Sequence, residues 1–195
     1  MKIAVIDYKA GNIKSVTAAL ERLGCETVLT SNHEQIISAD KVIFPGVGHA
    51  GAAMEALSAA GLNKLIPSLS QPVLGICLGM QLMCGRNEEG NTDGLNIFDV
   101  PVLKFKAENA EKIPHMGWNN IFELKSNLFC DVPENSFAYF VHSYMIPVFE
   151  HTAAKCNYIK DFSASIHKNN FYGTQFHPEK SASAGIKILE NFIKL

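Results

Sequence analysis

Pro72-Val73-Leu74-Gly75-Ile76-Cys77-Leu78-Gly79 runs from a short apolar stretch into a cysteine with glycine two residues away on each side. Val73 to Ile76 has the length and continuous apolarity of a strand buried on both faces. Gly75-Ile76-Cys77-Leu78-Gly79 has the shape of a nucleophile elbow, G-x-S-x-G, with cysteine in the serine's place. An elbow holds its nucleophile on a sharp strand-to-helix turn. Its glycines let helix and strand pass closely, and the next backbone N–H, that of Leu78, faces a developing oxyanion. The stretch predicts thiol chemistry on an α/β fold.

Upstream, Ile3 to Ile6 reads as a buried parallel strand, broken by Asp7 and Gly11. Asn12 is placed to cap a helix whose apolar positions Ile13, Val16, Ala19, Leu20 and Leu23 keep helical spacing and stop at Gly24. Further strands are predicted over 26–29 and 41–44, with a short helix over 32–38 between them and an Ala-rich helix over 49–60 after Pro45-Gly46-Val47-Gly48. Downstream of the elbow helix (78–84), 87–94 reads as a polar loop. Strand-like stretches follow at 102–105, 119–124, 137–141, 153–158, 163–166 and 171–176. The last segment, 182–195, reads as an amphipathic helix with Ile186, Leu189, Phe192 and Ile193 on one side. The expected fold is one α/β domain over 1–195: a mostly parallel central sheet flanked by helices, with right-handed crossovers and a more β-rich C-terminal half.

The net charge of −2 gives no electrostatic reason to expect nucleic acid or an anionic membrane as partner. Five cysteines, odd in number and widely spread, show no C-x-x-C pair and no zinc-type spacing with histidine. No metal, cofactor or disulfide framework is expected, and a reducing cytoplasm suits these thiols. The start of the chain reads as neither a signal peptide nor a membrane span, and no apolar run is long enough to cross a bilayer.

A thiol is mostly protonated at neutral pH, so a catalytic cysteine needs help. At a helix N-terminus Cys77 would gain from the dipole, and a nearby imidazole would favour thiolate further. Phe176-His177-Pro178-Glu179 supplies a base and an acid 100 residues later (177 − 77). In an extended segment residues two apart leave the same face, which suits a carboxylate orienting one ring nitrogen while the other faces sulfur. The plain alternative for a cysteine is a small buried residue; the elbow glycines and the His-Pro-Glu segment outweigh it. Pro45-Gly46-Val47-Gly48 stands where a second oxyanion donor would come from, or is simply a Gly-rich turn. No phosphate-cradling glycine motif is present.

Together these residues resemble the triad (class I) glutamine amidotransferases over essentially the whole chain, a type 1 domain spanning 1–195. Pro45-Gly46-Val47-Gly48, Gly75-Ile76-Cys77-Leu78-Gly79-Met80-Gln81 and Phe176-His177-Pro178-Glu179 stand in that family's order and at its spacing. Asp7-Tyr8 with Gly11-Asn12, His115-Met116-Gly117-Trp118-Asn119 and His177-Pro178-Glu179-Lys180-Ser181 narrow the likeness to glutaminase subunits of imidazole glycerol phosphate synthases. Two positions depart from it: Lys9, where glycine is usual, and His49, which reads as a solvated residue starting a helix.

The resemblance implies a triad of Cys77, His177 and Glu179, with an oxyanion hole from Leu78 and from Val47 or Gly48. It implies glutamine binding by Gly46, Gln81, Glu89, His142, Ser143 and Tyr144, with Glu88 the competing choice for Glu89. It also implies a heterodimer with a (β/α)8-barrel cyclase that meets Trp118, Tyr139 and Lys180, and a partner-dependent switch in the Gly-rich turn. Read singly, Gln81 is equally a solvated helix residue, Glu89 a surface charge, His142-Ser143-Tyr144 a strand end and Trp118 a half-buried core residue. Two other functions fit the elbow: a paralogous ammonia-delivering glutaminase for another acceptor such as a surface sugar, and a stand-alone cysteine hydrolase. A non-enzymatic module is disfavoured by the presence of all three triad residues.

Overall fold

A computed structural model of the protein describes residues 1–8 and 13–195. The Asn12 cap, Gly11 and Lys9 fall outside them. The first half alternates strand and helix: β1 (Lys2–Ile6), α1 (Ile13–Arg22), β2 (Glu26–Thr30), α2 (His33–Ile37), β3 (Lys41–Phe44), α3 (Ala50–Ala59), α4 (Leu62–Leu65), β4 (Val73–Ile76) and α5 (Leu78–Leu82). The second half is richer in strand: β5 (Arg86–Asn87), β6 (Thr92–Asp93), β7 (Leu103–Lys104), β8 (His115–Ile121), β9 (Ser136–His142), β10 (Tyr144–Met145), β11 (Thr152–Tyr158), β12 (Lys160–Lys168) and β13 (Phe171–Thr174), closed by α6 (Ala182–Lys194).

Seven strands form the central sheet in the order β11-β12-β13-β4-β3-β1-β2. The pairings from β13 through β2 are parallel, while β11-β12 and β12-β13 are antiparallel. β4, the strand that carries the elbow, is central, and β13 beside it leads into the His177 segment. Alternation along the buried strands sends side chains to both faces. Ile3 and Val5 join one core with Leu20, Ile76, Phe140, Leu189 and Phe192; Ala4 and Ile6 join the other with Phe44, Leu57, Leu62, Val73 and Met80. Full burial of a side chain such as Leu189 or Phe192 contributes about 1.5–3 kcal/mol. No helix among the described residues is long and apolar enough to cross a membrane.

Several local readings shift. The strand expected over 119–124 begins at His115, because pairing with β9 (His115↔His142 through Ile121↔Ser136) fixes it despite Gly117 and the polar asparagines. The loop over 87–94 contains the short hairpin β5-β6, and α4 and β10 were not expected. On α6, Ile186 is exposed and Ile188 fills the core instead. Asn191 also turns inward on this buried side, donating to the carbonyls of Leu128 (3.0 Å) and Cys130 (2.7 Å). Cys130 is exposed, whereas Cys25, Cys84 and Cys156 are buried thiols.

Candidate active site

The elbow is strained as its sequence demands. Cys77 adopts φ 54° and ψ −111°, and its N–H donates to Thr174 O at 2.8 Å, continuing the β4-β13 pairing. A non-glycine residue in this region costs about 1–3 kcal/mol, which the surrounding sheet offsets. At Gly79 a Cβ would run into the carbonyl oxygen of Phe44, so only glycine lets α5 start against the end of β3. Gly46 sits under the same junction: a Cβ there would lie 2.6 Å from Gly79 N and 2.7 Å from Tyr8 Oη. The Tyr8 hydroxyl donates to Pro45 O at 2.7 Å, which ties the Gly-rich turn to the end of β1. Burial, helped by the charge of Cys77, pushes the Tyr8 phenol up and keeps it a donor.

His177 reaches the sulfur from β13's side. Its backbone N–H donates to Tyr139 O at 2.9 Å, and Ser181 Oγ donates to His177 O at 2.6 Å while accepting from Tyr139 N at 3.0 Å. His177 Nδ1 lies 2.9 Å from Glu179 Oε1, with the Glu179 side chain fully buried and that of His177 nearly so. The pair does not meet by strand alternation, because Pro178–Lys180 forms a 3-10 turn that curls the carboxylate back under the ring. His177 Nε2 is buried beside the Cys77 side chain and has no other polar partner among the described residues. Burial opposes charge on this ring, yet its interactions with Cys77 and Glu179 win and raise His177 to about 10. That balance favours an imidazolium at His177, beside the elbow sulfur. Burial pushes the thiols of Cys25, Cys84 and Cys156 up, so they stay protonated.

A cavity of about 430 Å³ opens over the sulfur. Val47, Gly48, Cys77, Leu78, Gln81, Glu89, His142, Ser143, Tyr144 and His177 line it, together with Pro114 and Val141, which the sequence did not single out. Glu179 stands behind His177, and Gly46 lies with it around a small void below the Gly-rich turn. Gly48 has φ +101°, a conformation natural to glycine, at the turn leading into α3. His49 is the N-cap of that helix, exposed as expected, its Nδ1 accepting from Gly51 N at 3.1 Å. The two neighbouring glutamates are held apart by different hydrogen bonds. Glu89 faces the cavity with Oε2 accepting from Ala50 N at 2.8 Å, whereas Glu88 turns away to accept from Lys104 N at 2.6 Å.

The cavity floor is a line of oriented amides and imidazoles. Gln81 Nε2 donates to Tyr144 O (3.0 Å) and to Gln175 Oε1 (2.8 Å), and Gln175 Nε2 lies 3.7 Å from Cys77 Sγ. With both Gln81 N–H groups engaged, Gln81 offers the cavity only an acceptor. Tyr144 O also receives His142 Nδ1 (2.7 Å); His142 Nε2 meets His115 Nδ1 (3.0 Å), and Asn119 Nδ2 meets His115 Nε2 (3.2 Å). Gln175 carried no sequence signal that would have marked it, and His115 entered only as the first residue of His115-Met116-Gly117-Trp118-Asn119, with no role assigned.

Trp118, Tyr139 and Lys180 come together outside the cavity. The Trp118 and Tyr139 rings are 6.0 Å apart, and Lys180 Nζ lies 5.8 Å over the Tyr139 ring. Trp118 is 52% exposed rather than core, and Met116 and Phe137 (64% and 58%) extend the same apolar face of the β8-β9 hairpin. Contiguous exposed apolar patches commonly mark interaction sites.

A family model for class-I glutamine amidotransferases matches residues 4–195. The chain is 58% identical over 196 residues to a Bacteroides fragilis (strain YCH46) protein named imidazole glycerol phosphate synthase subunit HisH, with both chains fully covered. It is 48% identical over 193 residues to the Pasteurella multocida (strain Pm70) protein of the same name, covering 98% of this chain and 97% of that one. Among solved structures it resembles a Thermoplasma acidophilum protein described as one component of a GMP synthase (TM-score 0.78, 22% identity, 100% of this chain and 92% of that chain). It also resembles PurLQS from Thermotoga maritima (TM-score 0.74, 17% identity, 99% and 97%). Those two likenesses bear on the fold, and they agree with the sheet that centres the elbow. A match of the family model from β1 to the final helix, over an elbow cysteine backed by a buried His–Glu pair, makes this chain a member of the class-I glutamine amidotransferases.

Proposed function

We propose that the protein is the glutaminase subunit of an imidazole glycerol phosphate synthase, hydrolysing glutamine to glutamate and ammonia and delivering the ammonia to a cyclase. The observation that carries the chemistry is the buried 2.9 Å His177–Glu179 contact, set behind an imidazole that faces the elbow sulfur at the base of the cavity.

In this reading the Cys77 thiolate attacks the side-chain amide carbon of glutamine. The oxyanion forms beside Leu78 N–H and the N–H groups of the Val47–Gly48 turn. Imidazolium His177 gives its proton to the departing nitrogen, ammonia leaves, and a glutamyl thioester remains. His177 then takes a proton from water, hydroxide attacks the thioester, and the thiolate returns with release of glutamate. Glu179 holds the ring in the orientation both steps need. Gln81 contributes its acceptor oxygen, and Glu89 offers a carboxylate to the α-ammonium of glutamine. The His142-Ser143-Tyr144 segment supplies polar groups for the remaining charge, so the substrate is desolvated at tolerable cost. Gly46 acts indirectly, by seating the oxyanion turn.

The partner is a cyclase with a (β/α)8 barrel, forming a heterodimer over the Trp118, Tyr139 and Lys180 face. There ammonia joins a phosphoribosyl-formimino carboxamide nucleotide to give imidazole glycerol phosphate and a purine precursor, in cytoplasmic histidine biosynthesis. The names and full-length identity of the relatives support this acceptor over a surface sugar. Activation by the loaded partner is a shift in population toward a competent oxyanion turn.

The test is glutamate release from glutamine by this chain, alone and with the cyclase of its organism plus the nucleotide. Strong stimulation that Cys77→Ala abolishes is expected. Glutamate release indifferent to the cyclase would redirect the ammonia to another acceptor, and no glutamate under any condition would favour a stand-alone cysteine hydrolase.

A further inference from the structure

We propose that Gln175 is a positioning residue for the nucleophile: its amide N–H is aimed at Cys77 Sγ by Gln81, holding the sulfur and favouring its thiolate. Four observations carry this. Gln175 is completely buried, and its backbone N–H donates to Ala164 O at 2.8 Å, which locks it to the sheet just past β13. Residues 175 and 177 come directly after β13, beside the strand that carries the elbow, and the side chains of both end at the same sulfur. The Nε2 to Sγ distance of 3.7 Å is a hydrogen-bond contact for sulfur.

The fourth observation decides which end of the amide faces the thiol. An amide can be turned over, exchanging donor for acceptor, and only its network fixes the choice. Tyr144 O accepts and cannot donate, so the group meeting it at 3.0 Å is the Gln81 NH₂ end. The second N–H of that group points at Gln175, which must answer with its oxygen, at 2.8 Å. Gln175 is left with its NH₂ end on Cys77. His142 Nδ1, 2.7 Å from the same Tyr144 carbonyl, holds the anchor in place. A donor fixed on a sulfur strengthens as the sulfur gains charge, so it favours the thiolate over the thiol.

The inference deepens the glutaminase reading and rests on Cys77 being its nucleophile, but its test needs neither glutamine nor partner. The full chain is alkylated with iodoacetamide from about pH 5 to about pH 9, and modification is read at the Cys77 peptide by mass spectrometry. Gln175→Met is expected to move the profile toward higher pH and slow Cys77 alkylation near neutrality about tenfold, the size expected for a hydrogen bond to a charged group. Gln175→Glu, which puts a carboxylate against the sulfur, is expected to move it further. If Gln175→Met fails to fold, Gln81→Met removes the orienting donor while leaving Gln175, and should shift the profile the same way. A folded Gln175→Met or Gln81→Met protein whose profile superimposes on wild type overturns the proposal, even where melting temperature falls. A protein that alkylates as expected yet releases no glutamate would leave this inference standing and remove the glutaminase reading instead.

Discussion

His115 Nδ1 and His142 Nε2 lie 3.0 Å apart in a pair almost closed to solvent, and both rings are neutral. His142 Nδ1 faces a carbonyl and so carries the proton; His142 Nε2 therefore accepts from His115, whose Nε2 in turn accepts from Asn119. Burial pushes His115 down to about 4, and burial followed by the charges of His115 and His177 pushes His142 down to about 3, against a bond to Tyr144 O that works the other way. The unfolded chain binds these protons below about pH 6.5 while the folded one does not, so stability falls as pH drops from there toward 4. Each histidine contributes a slope of about 1.4 kcal/mol per pH unit in that window. Denaturant unfolding at stepped pH should show the loss, and His115→Phe, which fits between the rings of Phe140 and Tyr158 stacked on either side, should flatten the slope.

Glu179→Gln keeps the size of the side chain and removes its charge behind His177. Glutaminase kcat is expected to fall about 10²–10⁴-fold, with KM for glutamine changing far less, because the ring loses orientation and charge support and not the substrate. Steady-state kinetics on the activated complex measure both terms.

Glu89 caps the first turn of α3 through Ala50 N while its carboxylate borders the cavity. Glu89→Gln keeps an oxygen for the Ala50 N–H, so stability should change by less than about 1 kcal/mol. The lost charge opposite the glutamine ammonium should raise KM about tenfold or more, with a smaller effect on kcat. Thermal melts and a glutamine titration separate the two.

The two glycines around the elbow should respond unequally. Gly79→Ala drives a Cβ into the backbone oxygen of Phe44, which no side-chain movement relieves, and should cost about 4 kcal/mol or prevent folding. Gly48→Ala meets open space and loses only through its positive φ, about 1–2 kcal/mol. Soluble yield and denaturant midpoints distinguish these outcomes.

Trp118→Ala removes an exposed ring that contributes little to the core, so stability should stay within about 0.5 kcal/mol of wild type. Affinity for the cyclase should drop about tenfold or more, since a large exposed aromatic is the type of residue that anchors an interface. Calorimetric titration with the purified barrel reads this directly; unchanged affinity would move the docking surface elsewhere.

The sequence by itself determined the parallel α/β core and the elbow, and it singled out Cys77, His177 and Glu179 as the proposed triad. Their signals are short stretches of chain: Val73 to Ile76 is apolar without interruption, Gly75 and Gly79 flank Cys77 at a spacing of two, and His177 and Glu179 are near neighbours. What only the tertiary structure decided was long-range. Strand β8 starts at His115 because β9 pairs with it, against the pattern of its own residues. Glu89 and not Glu88 faces the cavity because the N-terminus of α3, 39 residues away, captures its carboxylate. Gln175 reaches Cys77 across 98 residues, and its polarity comes from Gln81 and the Tyr144 carbonyl, which lies 63 residues from Gln81. Hydrogen-bond direction in a buried network is set by whichever member cannot reverse, here a backbone carbonyl, and nothing in the spacing of side chains along one chain records that.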